Sequence, residues 1–275
     1  MMKNIRLLAL DIDGTILTQE KKLTDRTRKA IEAAAEAGIT VALVTGRPLQ
    51  GIPDELMSLR GLGYVISSNG AVTTDLPHHR VLRRAALDPG TAIGIIRLPK
   101  RLDLIYAVFI DSIGYCEPEP FDRHISLIDN PGLETYICKS RRITCDMDGQ
   151  IRKAVNGVEN IWLVTRDQSE RDELNRQING QWNVRTVLTG TVDIEIGSPW
   201  ADKGLALSEL ARCLTVGKSG IMAIGDNGND IGMLEAAGVS VAMGNADDEV
   251  KALADIVTDN NHEDGAAKII EELCR

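Results

Sequence analysis

Two aspartates one residue apart, in Asp11-Ile12-Asp13-Gly14-Thr15, stand directly after the apolar run of residues 5–10. Carboxylates at the end of such a run are costly unless cations or hydrogen bonds meet them. The i, i+2 spacing turns both the same way if the strand continues through Asp13, and Gly14 then permits a sharp exit. Together they suit a hard cation such as Mg²⁺, which takes oxygen ligands. An ordinary acidic turn is the other reading, since Asp-Gly is common in turns. A second acidic group, Asp226-Asn227-Gly228-Asn229-Asp230, follows another apolar run, residues 220–224. Asn229 or Asp230 there reads equally as a helix N-cap. A calcium loop of EF-hand type is excluded, because the twelfth position from Asp226 is Ala237 rather than a bidentate Glu. If both groups close strands of one sheet they meet in space, and so many carboxylates cannot all ionise without a counter-cation.

Groups for an anion come from two further places. Thr45 closes another apolar run and offers a hydroxyl, with backbone N–H groups following at Gly46 and Arg47. Lys203 falls in the first turn of a helix, where the dipole disfavours a cation. Taken alone it reads as a surface lysine; beside a carboxylate cluster it serves phosphate and nucleophile.

The elements that must position these groups alternate between short β-rich runs and helical stretches, the pattern of a parallel sheet covered by helices. Residues 5–10, 39–44, 64–66, 220–224 and 240–243 read as strands. Thr24 caps a helix to residue 37, and Asp202 caps one from 203 to about 214. Loops rich in polar residues and glycine follow the strands, and in open α/β sheets ligands bind beyond the strands' carboxyl ends. From about residue 88 the texture changes to a helix (88–100), paired strands (104–110 and 114–117), an irregular stretch to 158, then strand, helix, strand and strand (160–165, 168–178, 184–188, 192–196). This is a separate α+β unit inserted into the first, giving segments 1–84, 85–191 and 192–275.

The 275 residues carry 40 Asp and Glu against 31 Lys and Arg, a formal net charge of −9 that argues against a nucleic-acid binder. The basic runs at 80–84, 97–101 and 139–142 read as solvated faces. No apolar run nears the about 18–20 residues of a membrane span, and residues 1–6 lead into the first strand with no signal-peptide pattern after them. Five cysteines without a CxxC pair fit reduced thiols and a cytoplasmic chain better than a zinc site built from Cys116, Cys138, Cys145 and His124. Aromatic residues make up 3%, which disfavours a base-stacking surface.

In order, Asp11-Ile12-Asp13-Gly14-Thr15, Thr45-Gly46-Arg47, Lys203 and Gly225-Asp226 through Asn229-Asp230 resemble the four motifs of the haloacid dehalogenase (HAD) superfamily. Ser68-Asn69-Gly70-Ala71, Asp202-Lys203-Gly204 and Val241-Ala242-Met243-Gly244-Asn245-Ala246 look like its Cof-type, subclass IIB phosphatases. The resemblance implies a Rossmann-like core with an inserted α+β (C2-type) cap, and phosphoryl transfer through an aspartyl-phosphate. Carried over residue by residue, Asp11 is the nucleophile and a Mg²⁺ ligand. Asp13 is the general acid and base, ligates Mg²⁺ through its carbonyl, and needs acidic surroundings to hold a proton. Asp226 is the remaining ligand and Lys203 neutralises charge. Ile12, Thr45, Gly46, Arg47, Asn69 and Asn229 would contact phosphoryl group or substrate, and Asp230 supports the loop.

The expected activity is Mg²⁺-dependent hydrolysis of small phosphometabolites, sugar phosphates foremost, by a monomer or weak homo-oligomer. Substrate choice would lie in the cap, with Arg123, His124, Arg141 and Arg142 as candidates. A phosphohexomutase, a receiver-like module and a non-catalytic sugar-phosphate binder are the alternatives. The receiver is disfavoured by the Asp-x-Asp spacing and the large insertion, and the idle binder by the joint presence of Asp11, Asp13, Lys203 and Asp226.

Overall fold

The computed structural model describes residues 4–274. Residues 1–3, read above as the lead-in to the first strand, lie outside the described residues. The chain runs β1 (Leu7–Leu10), α1 (Asp25–Glu36), β2 (Thr40–Val44), α2 (Asp54–Met57), β3 (Leu62–Ser67), β4 (Val72–Asp75) and β5 (Arg80–Arg84). It continues through α3 (Pro89–Leu102), β6 (Ile105–Ile110), β7 (Ile113–Cys116), α4 (Pro118–Ser126), α5 (Pro131–Ser140), β8 (Arg141–Ile143), α6 (Met147–Arg152), β9 (Asn160–Val164), α7 (Gln168–Gln181), β10 (Arg185–Thr189) and β11 (Asp193–Gly197). It closes with α8 (Lys203–Cys213), β12 (Ile221–Gly225), α9 (Ile231–Ala236), β13 (Val239–Ala242), α10 (Asp248–Leu253), β14 (Ile256–Val257) and α11 (Gly265–Leu273).

Two compact units result: residues up to Gly46, Ile52–Arg83 and Asp202 onward form the first, and Arg47–Gly51 with Arg84–Ala201 the second. The first carries an eight-stranded sheet in the order β14-β13-β12-β1-β2-β3-β4-β5. From β14 to β3 the neighbours are parallel, and β4 runs antiparallel to β3. Side chains of β1 and of Val41–Val44 in β2 are fully buried, so helices must cover both faces, which is why these strands read as unbroken apolar runs. Thr24 caps α1 by accepting from the Thr27 N–H, and Asp202 caps α8 by accepting from the Leu205 N–H. The chain proceeds outward from β1 in one direction through β2 and β3, and from β12 in the other through β13 and β14. The β1/β12 junction is therefore a topological switch point, where such sheets bind ligands.

Two features depart from the sequence reading. The basic run of residues 80–84 is β5, added to the sheet edge after β4, and neither strand shows the long apolar run of a buried one. Strand β11, read as the last strand of the inserted texture but cut off from it by the 191/192 segment boundary, pairs antiparallel with β10 and β9 in the other sheet. The second boundary therefore falls at Ala201/Asp202. Alternation of Ile194 and Ile196 (buried) with Asp193 and Glu195 marks β11 as a strand with one buried face.

The second unit is built on the sheet β10-β11-β9-β6-β7-β8, antiparallel except between β7 and β8. Alternation along β6 sends Tyr106, Val108 and Ile110 into a large core with α3, α6 and α7 residues such as Ile95, Ile151 and Leu174. Ala107 and Phe109 face the other way, in a small cluster with Cys116, Phe121 and Trp162.

Candidate active site

Asp11 is the first residue beyond β1, its N–H donating to the Ile224 carbonyl of β12 at 3.0 Å. Its carboxylate is buried, and Lys203 Nζ donates to Oδ1 at 2.8 Å. The same ammonium reaches Asp230 Oδ1 at 2.6 Å. Lys203 is the first residue of α8 and 1% exposed. Burial pulls its pKa down, but the Asp11 and Asp230 charges outweigh that and raise it, so it stays an ammonium.

Asp230 is wholly buried, and its Oδ2 accepts from the Asp226 and Asn227 N–H groups at 3.0 and 3.1 Å. It thus ties its own loop together and anchors the lysine. Asp226 keeps oxygens facing Asp11. Its Oδ1 accepts from Thr15 Oγ1 at 2.9 Å, a contact the sequence reading did not foresee although Thr15 stands in the motif. Burial, followed by the Asp230 charge, pushes Asp226 up to about 7 and raises Asp11 well above the usual carboxylate range.

Carboxylate oxygens of Asp11, Asp226 and Asp230 lie within 4.8 Å of one another. One ammonium cannot neutralise two buried carboxylates and the half-buried Asp226, and burial together with this surplus of negative charge shifts Asp11 and Asp226 upward. An all-oxygen donor set with surplus negative charge fits a small divalent cation. Since Asp230 is committed to Lys203 and two N–H groups, Asp11 and Asp226 are the side chains left to hold it.

Asp13 stands at the exposed edge of this environment, its charge still adding to the upward push on Asp226. β1 ends at Leu10, and the chain turns, with Ile16 and Leu17 N–H donating to the Ile12 carbonyl at 3.2 and 3.1 Å. The strand does not continue through Asp13, so the alternation of a strand does not set the direction of the two aspartates. The buried Ile12 side chain anchors the turn, and the half-exposed Asp13 carboxylate pairs with Lys21 Nζ at 2.8 Å. Gly14 takes φ +83°, and a Cβ there would stand 2.2 Å from Asp226 Oδ2. Its carbonyl accepts from Asn245 Nδ2 at 2.8 Å.

Thr45 is the first residue beyond β2 and is buried, and its carbonyl accepts from the Asn69 N–H at 3.0 Å. Asn69, at φ 53°, accepts at Oδ1 from Asn229 Nδ2 at 3.1 Å, and the same oxygen lies 3.1 Å from where a Gly46 Cβ would be. Thr45, Gly46, Asn69 and Asn229 are thus one contiguous polar group. Arg47 is grouped with the second unit, donating to the Gly51 carbonyl at 3.1 Å. Of the candidates further along that unit, exposed Arg142 turns back to the Arg141 carbonyl, and Arg123 is engaged by Asp103 at 2.9 Å. Arg141 and His124 are buried or half-buried among rings.

The sequence model described as haloacid dehalogenase-like hydrolase matches residues 8–270. The 5-amino-6-(5-phospho-D-ribitylamino)uracil phosphatase YwtE of Bacillus subtilis is 30% identical, over 98% of each chain. The pyridoxal phosphate phosphatase YbhA of Escherichia coli is 28% identical, over 96% of this chain and 97% of that one. A solved haloacid dehalogenase-like hydrolase from B. subtilis superposes with a TM-score of 0.83 at 28% identity, covering 98% of this chain and all of the other. Among the described residues no helix is long and apolar enough to cross a membrane.

Proposed function

This chain belongs to the haloacid dehalogenase-like hydrolase family and is a phosphatase, and we propose that it hydrolyses small phosphomonoesters through an aspartyl-phosphate on Asp11, with Mg²⁺ as its cofactor. The observation that carries the reading is the buried Lys203–Asp11 pair beside Asp226. It keeps a carboxylate desolvated, oriented and matched to a cation, as a nucleophile toward a phosphate dianion requires.

Asp11 and Asp226 would hold the metal through carboxylate oxygens and Asp13 through its carbonyl. When bound, Mg²⁺ supplies charge neutralisation and orientation for the transferring phosphoryl group. Asp11 Oδ attacks phosphorus while the ester oxygen leaves and takes a proton from the Asp13 carboxyl. The Asp13 carboxylate then accepts a proton from water, whose oxygen attacks the same phosphorus and frees Asp11 and inorganic phosphate. Lys203 remains charged throughout and offsets the negative charge on Asp11 and the phosphoryl oxygens. Thr45, the Ile12 and Gly46 backbone and Asn229 bind phosphoryl oxygens, and Asn69 holds Asn229 in place.

The second unit, Arg84–Ala201, acts as the cap that selects the leaving group. Sugar phosphates are the first substrate class. Two relatives, named for substrates with a heterocyclic ring, add cofactor-like phosphates to the trial set. Five free cysteines fit a reducing cytoplasm.

The test is phosphate release from sugar phosphates, nucleotides and cofactor phosphates with Mg²⁺ or EDTA, beside Asp11→Asn. Mg²⁺-dependent release that this substitution abolishes is expected. Isomerised sugar phosphate without released phosphate would replace hydrolysis by a mutase reaction, and no turnover by a folded protein would overturn the catalytic reading.

A further inference from the structure

The turn that carries Asn69 is costly to hold. Ser68, Asn69 and Gly70 follow β3 with φ angles of 50°, 53° and 92°, and two of the three bear side chains, which disfavour the left-handed region. Such a turn persists only where its surroundings fix it. Part of that support is backbone: the Asn69 N–H donates to the Thr45 carbonyl and the Ala71 N–H to the Ser68 carbonyl, both at 3.0 Å. Part is packing against α8, where a Cβ on Gly70 would overlap the carbonyl of Asp202, the residue before Lys203. The Gly70 carbonyl in turn accepts from Arg83 Nη1.

Arg83 belongs to the basic run 80–84, which reads in sequence as a solvated face. Arg80, in the same run, fits that reading with a side chain 66% exposed, whereas that of Arg83 is 8% exposed. Besides meeting the Gly70 carbonyl, Arg83 donates through Nε to Glu209 Oε2 on α8 at 2.9 Å. One planar group therefore grips the turn by one nitrogen and the helix by another. A guanidinium fixes the directions of its donors relative to each other, which an ammonium on a flexible stem cannot do. Glu209 is half-exposed, so as an ion pair alone the contact adds little stability, and its geometry matters more. All of these residues lie in the first unit.

Both gripped elements carry groups of the site. Asn69 Oδ1 accepts from Asn229 Nδ2 at 3.1 Å, and α8 opens with Lys203, whose Nζ meets Asp11 at 2.8 Å. We infer that Arg83 is a positioning residue for phosphoryl binding: by tying the Gly70 carbonyl to Glu209 it fixes Asn69, and through it the Asn229 amide, relative to the helix that starts at Lys203. The inference rests on the role proposed above for Asn229, and adds a residue that acts through Asn69 from outside the four motifs.

Steady-state kinetics with p-nitrophenyl phosphate, and its competitive inhibition by inorganic phosphate, test it. Arg83→Met should raise KM and the phosphate Ki together by about fivefold or more while kcat changes by less than about twofold, the pattern of binding lost equally from ground and transition states. Arg83→Lys should recover only part of that loss. Asn69→Gly removes the amide and keeps a left-handed backbone; in that background Arg83→Met should add less than about twofold, because the two residues act in series. Wild-type KM and Ki in a folded Arg83→Met, or an equally large change in both backgrounds, overturns the inference while leaving the phosphatase reading standing. Glu209→Gln, at the half-exposed end, is the second variant should Arg83→Met fail to fold; a Ki at least about twofold higher is expected, and an unchanged Ki overturns the inference. If p-nitrophenyl phosphate is not hydrolysed at all, amide hydrogen exchange decides the matter without turnover. Arg83→Met, or Glu209→Gln in its place, should speed exchange of the Asn69 N–H by about tenfold or more and leave the β1 amides unchanged. Equal Asn69 exchange in variant and wild type would overturn it.

Discussion

Lys203 Nζ lies 2.8 Å from Asp11 Oδ1, although 192 positions separate the two residues. The lysine opens a helix, where its charge opposes the dipole, and is 1% exposed. It is held there by Asp11 and Asp230, and they in turn are tolerable in the interior because it is there.

Lys203→Met leaves those two buried carboxylates without their cation. Breaking a buried pair in this way costs about 3–5 kcal/mol, and loss of the charge at the nucleophile should lower kcat by about 10²–10³-fold or more. Urea unfolding and steady-state kinetics check both. Adding Asp230→Asn to Lys203→Met should restore part of the stability, because the two sites share one network, while kcat stays low.

Asp226 links metal, pH and stability. Its folded pKa of about 7 lies above the ordinary 3.8, so its contribution is fully present below the ordinary value and is lost as pH rises through about 7. A divalent cation binds the ionised form and offsets that loss. Mg²⁺ should therefore raise Tm more at pH 8 than at pH 6, approaching about 2.7 kcal/mol at a hundredfold excess over Kd. Thermal melts with Mg²⁺ or EDTA read this, and Asp226→Asn should remove both the pH effect and the Mg²⁺ increment.

Gly14→Ala combines a left-handed backbone with a Cβ 2.2 Å from Asp226 Oδ2. About 1 kcal/mol of backbone strain accompanies displacement of the Asp226 carboxylate. Activity should fall by more than tenfold with a Tm loss of only a few degrees, and raising the Mg²⁺ concentration should restore part of the rate. A variant with wild-type kinetics would show that Asp226 need not hold its position.

His124 makes the second unit sensitive to acid. Its pKa is depressed from 6.5 to about 4, first by burial and then by Arg141. Below pH 6.5 the unfolded chain takes up a proton that the folded chain refuses, so stability falls as pH drops from 6.5 toward 4. His124→Gln should flatten the Tm-against-pH curve in that window and leave it unchanged above pH 7.

The core was legible in the sequence because buried parallel strands write themselves as apolar runs, and the loops after them write themselves as polar motifs. Residues 5–10 and 39–44 contain β1 and β2, residues 220–224 cover β12 up to its last position, and Asp11, Thr45 and Asp226, each the first residue beyond its strand, follow from adjacency alone. The neighbouring strands β4 and β5 and the stretch from α4 to α6 were not legible, since β4 buries polar Thr73, Thr74 and Asp75, β5 is half-exposed, and short helices carry mixed patterns that local periodicity does not resolve.

What the sequence determined by itself was the set of chemical groups and the alternating elements that deliver them. Tertiary structure alone decided how each group is spent. Asp11 and Asp13, one residue apart, part company because β1 ends at Leu10 and the turn sends one carboxylate to Lys203 and the other to Lys21. β11 joins the inserted sheet because its partners β9 and β10 precede it there. Arg141, in sequence one more residue of a basic run, is buried against three rings without a carboxylate. Charge and type are properties of a residue, whereas solvation and partners are set by segments distant in the chain that come to surround it.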